Sequence, residues 1–91
     1  MLPSVTVMHV EFLGIPRERA GVGELQIEAA TLGQVFDELA IRFPALGEFI
    51  TAGELHPACA ANLNGDTFVS DRDTPMDDSD HLIILSADVG G

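Results

Sequence analysis

The sequence contains no lysine and a single cysteine, and its hydrophobic residues occur only in short runs. A lone cysteine, Cys59, excludes an intramolecular disulfide, and with it the disulfide-rich class of small secreted domains. Every apolar run is shorter than the roughly 18 residues that a membrane-spanning helix requires, and no signal-peptide pattern is visible. The 91 residues therefore predict one soluble domain with a cytoplasmic location and no membrane partner.

Positive charge is also scarce. Four arginines stand against fifteen acidic residues, which gives a formal net charge of −11. This balance argues against nucleic-acid binding, because phosphate contacts need clustered cationic side chains. It predicts partners with basic surfaces, and the absence of lysine leaves no ε-amine that could capture an activated carboxyl group of the same chain.

Hydrophobic patterning predicts the order β, β, α, β, short β, β. Residues 4–13 alternate between a core face and an outer face and 24–29 alternate again, so we expect a hairpin whose long polar loop spans residues 14–23. In the first strand the core face carries Thr6, Met8, Val10 and Phe12, and the outer face carries Val5, Val7, His9, Glu11 and Leu13. Thr31 and Gln34 form a capping box at the start of a helix, and Pro44 ends that helix. The helix presents apolar residues at helical spacing, namely Leu32, Val35, Phe36, Leu39 and Phe43.

The second half of the chain is predicted to be mostly extended. Residues 45–57 are interpreted as an irregular crossing, and strands follow at 59–64, 67–69 and 81–86. The dipeptide Asn64-Gly65 indicates a tight turn between the first two of these strands. On the last strand Leu82 and Ile84 share one face, while His81, Ile83 and Leu85 share the other.

No catalytic or metal-binding motif emerges from these elements. The aspartates of residues 71–80 lack the glycine and glutamate positions of a calcium loop, so a solvated turn is the better interpretation. His9, His56 and His81 lack the spacing of a zinc site, and no metal site is predicted. Cys59 is predicted to be a buried structural thiol, because no cation lies nearby in sequence. The chain is expected to act as a carrier or substrate of enzymes rather than as an enzyme.

The most informative feature is the final Gly90-Gly91 pair. Two residues without β-carbons make a slender tail, and a narrow catalytic channel in a partner could admit its α-carboxylate. We therefore divide the chain into a domain at residues 1–86 and a flexible tail at residues 87–91. The alternative is an inert chain end, since termini are often poorly ordered.

Several segments together resemble the MoaD/ThiS family of ubiquitin-like sulfur carrier proteins. The resemblance rests on residues 12–21, the Thr31-Leu32 helix start, Asn64-Gly65 before Phe68, and residues 83–85 leading to Gly90-Gly91. It implies an α+β class β-grasp fold, a mixed sheet of about four to five strands with one main helix packed on one face. In length and in the segment around Arg17-Glu18, the chain resembles the small subunit of molybdopterin synthase more than the shorter thiamin thiazole carrier.

The resemblance also implies a function. In the family an ATP-dependent enzyme adenylates the terminal carboxylate, and a sulfur donor then converts it to a thiocarboxylate. Gly91 would be the reacting residue and Gly90 would precede it in the partner's channel, with ATP used by the activating enzyme and no cofactor bound to the carrier. Family members dock on their partners through apolar residues at the positions of Leu13, Phe68 and Leu85. The resemblance therefore implies that these three residues contact the activating enzyme or a catalytic synthase subunit, and that Val89 lies in the inserted tail.

Three alternatives remain open from the sequence. The sulfur acceptor could be molybdopterin or else thiamin thiazole, cysteine or a secondary metabolite. A ubiquitin-like modifier joined to other proteins through Gly91 would need the same tail. A purely structural interaction module would not need the tail at all.

Overall fold

The computed structural model describes residues 6–51 and 53–87. The secondary structure follows the chain as β1 (Val7–Phe12), α1 (Ile15–Ala20), β2 (Glu24–Glu28), α2 (Leu32–Arg42), a 3₁₀ helix (Pro44–Glu48), β3 (Ile50–Thr51), β4 (Glu54–Leu55), β5 (Cys59–Leu63), β6 (Thr67–Val69) and β7 (His81–Ser86). None of the helices within these residues is long and apolar enough to cross a membrane.

Five strands form a mixed sheet in the order β2-β1-β7-β5-β6. The first and last strands, β1 and β7, run parallel at its centre, and the other three neighbouring pairs are antiparallel. The predicted turn between β5 and β6 is confirmed: Asn64 and Gly65 adopt φ angles of 60° and 71°, and the Asp66 N–H donates to the Leu63 carbonyl at 3.1 Å. The predicted mixed sheet with one main helix is confirmed.

The core lies between the sheet and α2. The helix buries Leu32, Val35, Phe36 and Leu39 completely, at the spacing that the sequence predicts. Alternate residues of the two central strands meet them, namely Met8, Val10, Phe12, Leu82 and Ile84. Full burial of such side chains contributes about 1.5–3 kcal/mol each before the entropy of ordering is subtracted. The predicted division of β1 and β7 into a core face and an outer face is thereby confirmed.

The predicted limits of α2 are also confirmed. Thr31 Oγ1 accepts from the Gln34 N–H at 3.3 Å, and Gln34 Oε1 accepts from the Ala30 N–H at 2.7 Å. This is a capping box in which the glutamine accepts from the Ala30 N–H rather than from the N–H of the N-cap residue Thr31. At the other end the Phe43 N–H donates to the Leu39 carbonyl, and Pro44 begins the 3₁₀ helix.

Two segments predicted to be irregular contain regular structure, so those predictions are wrong. The supposed loop at 14–23 holds the helix α1, with Pro16 in its first turn and Gly21 as its left-handed C-cap. Proline at a helix start and glycine just past its end are the usual signals, but six residues give too little periodicity to detect. Residues 45–57 contain most of the 3₁₀ helix and the short β3–β4 hairpin.

The acidic connection before β7 is a turn-rich surface segment, as predicted. The Asp71 carboxylate accepts from the Asp73 N–H and that of Asp80 accepts from the Asp77 N–H, both at 2.8 Å. Within residues 6–51 and 53–87, no three side chains of metal-ligating type are grouped as a metal site requires. The segment also supplies Met76, which is buried in the core and which the sequence analysis did not single out.

Candidate functional site

The predicted reactive tail continues from the most central strand of the sheet. Strand β7 is hydrogen-bonded to β1 on one side and to β5 on the other, and it ends at Ser86. Val89, Gly90 and Gly91 lie outside the described residues. Ala87 is described, and its N–H donates to the Ala58 carbonyl at 2.8 Å. We call Ser86 and Ala87 the tail root.

The tail root touches the start of α1 as well as β5. Ser86 Oγ accepts a hydrogen bond from the Ile15 N–H at 3.0 Å. Just before it, the Leu13 N–H donates to the Ile84 carbonyl at 2.9 Å. The last residues of β7 are therefore held by partners on both sides.

Among the described residues, α2 packs against one face of the sheet, and the three predicted docking residues lie on the other face. Leu13 is 38% exposed and Phe68 is 66% exposed, while Leu85 is partly buried. The register puts Leu85 beside Ala60, and both Phe68 and Ile83 beside Asn62. Laterally paired residues point to the same side of a sheet, as do alternate residues of one strand, so Phe68, Ile83 and Leu85 share one face. Leu13 directly follows the buried Phe12, so the alternation of β1 directs it to the same outer side. We call Leu13, Phe68, Ile83 and Leu85 the open-face patch.

The other end of the same face is polar. His81 Nε2 lies 2.9 Å from Glu11 Oε1, and His9 Nε2 lies 3.6 Å from Glu24 Oε2. The two imidazole rings are 4.6 Å apart between centroids, because parallel pairing of β1 with β7 places His9 beside His81. The predicted location of both histidines on an outer strand face is confirmed, and both are partly shielded there. The open face therefore changes from charged to apolar in the direction of the tail root.

Cys59 is buried, as the sequence predicts. It lies on β5 opposite Ser86, and burial raises the pKa of its thiol, so the thiol stays protonated at neutral pH. β6 pairs only with residues 61–63 of β5. Beside the remaining edge there is a groove of about 350 Å³, whose walls include Leu55, Pro57, Phe68 and Val69. Cys59 itself lines this groove but is only 7% exposed, and a protonated thiol is a much weaker nucleophile than a thiolate.

The few arginines are largely occupied with internal carboxylates. Arg19 pairs with Glu48, Arg42 with Glu38, and Arg72 with Asp37. Arg72 also donates to the Gly53 carbonyl, so it ties the β3–β4 hairpin to α2. The hydrogen bonds from Arg72 hold the pKa of Asp37 below its ordinary value. The net charge of −11 is thus reflected in a predominantly acidic surface.

The sequence reasoning missed Gly14, Ser86 and Ile83 as site residues. A signal was present for Gly14 alone: it precedes Ile15-Pro16 at a helix start, where a glycine offers no side chain to cap the helix. The acceptor for the Ile15 N–H is Ser86, which only the tertiary structure identifies. Alternation places Ile83 on the outer face of its strand, but its position near Phe68 follows only from the β7-β5-β6 strand order.

Comparison with known proteins extends these observations. The model of the ThiS family matches residues 10–91. No curated protein is similar enough to count as a match. The chain is similar in structure to small archaeal modifier protein 1 of Methanosarcina acetivorans, with a TM-score of 0.79 and 24% identity over 98% of this chain and 100% of that one.

Two further solved structures have the same fold. Small archaeal modifier protein 1 of Haloferax volcanii gives a TM-score of 0.78 and 23% identity, covering 93% of this chain and 99% of that one. A protein assigned as molybdopterin converting factor subunit 1 of Pyrococcus furiosus gives a TM-score of 0.74 and 22% identity. The match covers 89% of this chain and 97% of that one. The predicted β-grasp fold is confirmed by these neighbours. Because the family match extends from β1 to the final glycines, the chain belongs to the ThiS family.

Proposed function

We propose that the chain is a sulfur carrier protein whose reactive group is the carboxylate of Gly91. The observation that carries this proposal is the ThiS family match, which runs through Gly90 and Gly91. The position of β7 supports it, because a central strand with hydrogen bonds on both edges is a firm base for a tail that enters an enzyme.

The chemistry needs a partner enzyme and ATP. A carboxylate oxygen of Gly91 attacks the α-phosphorus of ATP, an O–P bond forms, and pyrophosphate leaves. The resulting acyl-adenylate is a strong electrophile, so a hydrosulfide-level sulfur donor attacks its carbonyl carbon. A C–S bond forms, the C–O bond to AMP breaks, and the product is a thiocarboxylate. Gly90 and Gly91 have no side chains that would obstruct a narrow channel around the reacting carbon.

Docking would use the open-face patch and the acidic charge. Leu85 lies directly before the tail root and Leu13 lies beside it, and Ile83 and Phe68 adjoin them on the same face, so a partner covering the patch would also reach the tail root. Long-range attraction between a chain of net charge −11 and a basic enzyme surface would accelerate the encounter. Val89 would be the first apolar residue of the tail to enter the partner.

Molybdopterin synthesis is the pathway we favour for the sulfur. Its support is the structural similarity to the Pyrococcus furiosus protein assigned as molybdopterin converting factor subunit 1. In that role the chain would be the small, non-catalytic subunit that delivers Gly91 to a synthase. Thiamin thiazole, cysteine or a secondary metabolite are the alternative acceptors.

A second candidate function is protein modification. It is favoured by the similarity to two small archaeal modifier proteins, one from Methanosarcina acetivorans and one from Haloferax volcanii. In this role the activated Gly91 carbonyl would be attacked by a lysine amine of another protein, and an amide would form as AMP or a thiol leaves. The chain has no lysine, so it offers no side-chain amine for conjugation to itself.

Intact-mass spectrometry distinguishes these functions. The purified chain is incubated with the activating enzyme of its host, ATP and a sulfur donor. A carrier gains the mass difference between sulfur and oxygen, located at Gly91, and a variant lacking Gly91 does not. A mass gain that persists without Gly91 contradicts the proposal.

The modifier function has its own readout in the host. Proteins that carry a Gly-Gly remnant on lysine, and that lose it when Gly91 is deleted, support conjugation. Thiocarboxylate formation without such adducts assigns the chain to sulfur transfer alone.

A further inference from the structure

Helix α1 begins without a cap from its own sequence. Its N-cap residue is Gly14, which has no side chain to accept the first free N–H groups of the helix. Ser86 Oγ, 71 positions away in the chain, accepts from the Ile15 N–H instead. A residue at the end of β7 therefore performs the capping function that normally falls to the residue before the helix.

The same contact depends on the absence of a side chain at residue 14. Gly14 adopts a φ of 68°, a backbone conformation that residues with a β-carbon rarely adopt. A β-carbon there would come within 2.7 Å of Ser86 Oγ, closer than such atoms can approach. Both the backbone conformation and the close approach to Ser86 thus require glycine.

The opposite side of the tail root is held by β5. Ser86 is paired with Cys59, and the Ala87 N–H donates to the Ala58 carbonyl at 2.8 Å. The end of β7 is consequently fixed between two segments, by a side-chain hydrogen bond toward α1 and a backbone hydrogen bond toward β5. Strand pairing alone would have fixed only the side of the tail root that faces β5.

We propose that Ser86 is a positioning residue: its hydroxyl fixes the point and direction from which residues 88–91 continue toward a partner's active site. This rests on the proposed function. With the tail root held, only residues 88–91 are available for insertion, and they span at most roughly 14 Å when extended. A reach this short makes the position of Gly91 sensitive to any rotation at Ser86.

The contact itself is tested on the protein alone by NMR. In Ser86→Ala the Ile15 amide loses its acceptor, so its hydrogen-exchange protection should fall by roughly two- to tenfold, and the order parameter of the Ala87 amide should decrease. Ser79→Ala is the matched control, because Ser79 is exposed and on the acidic connection before β7. Ser86→Thr keeps the hydroxyl and should restore both values. Unchanged Ile15 protection in Ser86→Ala would overturn the contact.

The positioning role is tested by steady-state kinetics of pyrophosphate release with the activating enzyme. The open-face patch is unaltered in Ser86→Ala, so KM for the carrier should stay near the wild-type value. The kcat should fall by roughly two- to tenfold, because the carboxylate occupies the reactive position for less of the time. Ser86→Thr should recover kcat.

The kinetic result separates positioning from a merely structural effect. A rise in KM with unchanged kcat, or no change in either, would overturn the positioning role. Failure of the wild-type chain to be adenylated would contradict the proposed function, whereas the NMR comparison would still decide whether Ser86 holds the tail root.

Discussion

Phe68 is the most exposed residue of the open-face patch, so its replacement should weaken docking more than it weakens the fold. This side chain is 66% exposed on the open face, so the folded domain gains little from it, while a partner covering the face would bury it. Ile41 provides a matched control, because it is 75% exposed on the outer side of α2. Phe68→Ala and Ile41→Ala therefore each remove an exposed apolar side chain, but only the first lies on the proposed docking face.

The expected magnitude follows from the exposed area. A phenylalanine side chain can bury about 150–250 Å², so two thirds exposure leaves roughly 100–160 Å² for a partner to cover. At about 25 cal/mol per Å², this area is worth up to about 2.5–4 kcal/mol. Alanine keeps part of it, so we expect Phe68→Ala to weaken binding by about 2 kcal/mol, which is roughly a 30-fold increase in Kd. The free energy of unfolding should fall by only about 1 kcal/mol.

Isothermal titration calorimetry with the activating enzyme measures the Kd, and urea denaturation measures the free energy of unfolding. Ile41→Ala should leave the Kd at the wild-type value. An equal loss of affinity in both variants would mean that docking does not select the open face. An unchanged Kd for Phe68→Ala, with the fold intact, would refute its role in docking.

Two further predictions concern the body of the domain. The hydrogen bonds from Arg72 lower the pKa of Asp37 below its ordinary value of 3.8, so their contribution to stability is present above the unfolded-state pKa and is lost as the pH falls through the folded-state pKa. Urea denaturation between about pH 5 and pH 2 should therefore show a smaller loss of stability in Asp37→Asn than in the wild type, and parallel pH profiles would contradict this. Cys59 is buried and its thiol pKa is raised, so a small thiol reagent should react slowly until urea unfolds the chain. Equal reaction rates in the native and unfolded chain would show that the thiol is not protected.

Local rules account for the parts of the fold that the sequence predicts correctly. Alternation identifies Val10 and Phe12, together with Leu82 and Ile84, as core residues, because a half-buried strand requires a period of two. The start of α2 at Thr31 is a local capping signal. Each of these features depends on residues close together in the chain.

The elements that the sequence misses depend on distant contacts. Helix α1 is only six residues long and relies on Ser86 for a cap and on the Arg19–Glu48 ion pair against the 3₁₀ helix. The β3–β4 hairpin has two-residue strands and is tied to α2 by Arg72. Segments this short are not stable alone, so their own sequences carry little signal.

Sequence patterns alone specify the alternating faces of the strands, the length of α2, the acidic and lysine-free composition, and the Gly90-Gly91 pair. Those properties follow from the chemistry of single residues and from short periodicities. The packing of the folded chain, by contrast, places β7 between β1 and β5, brings Leu13 and Phe68 to one face with Ile83 and Leu85, and brings Ser86 to the start of α1. The reason is that strand order and capping across 71 positions arise from how the elements pack together, which no local pattern encodes.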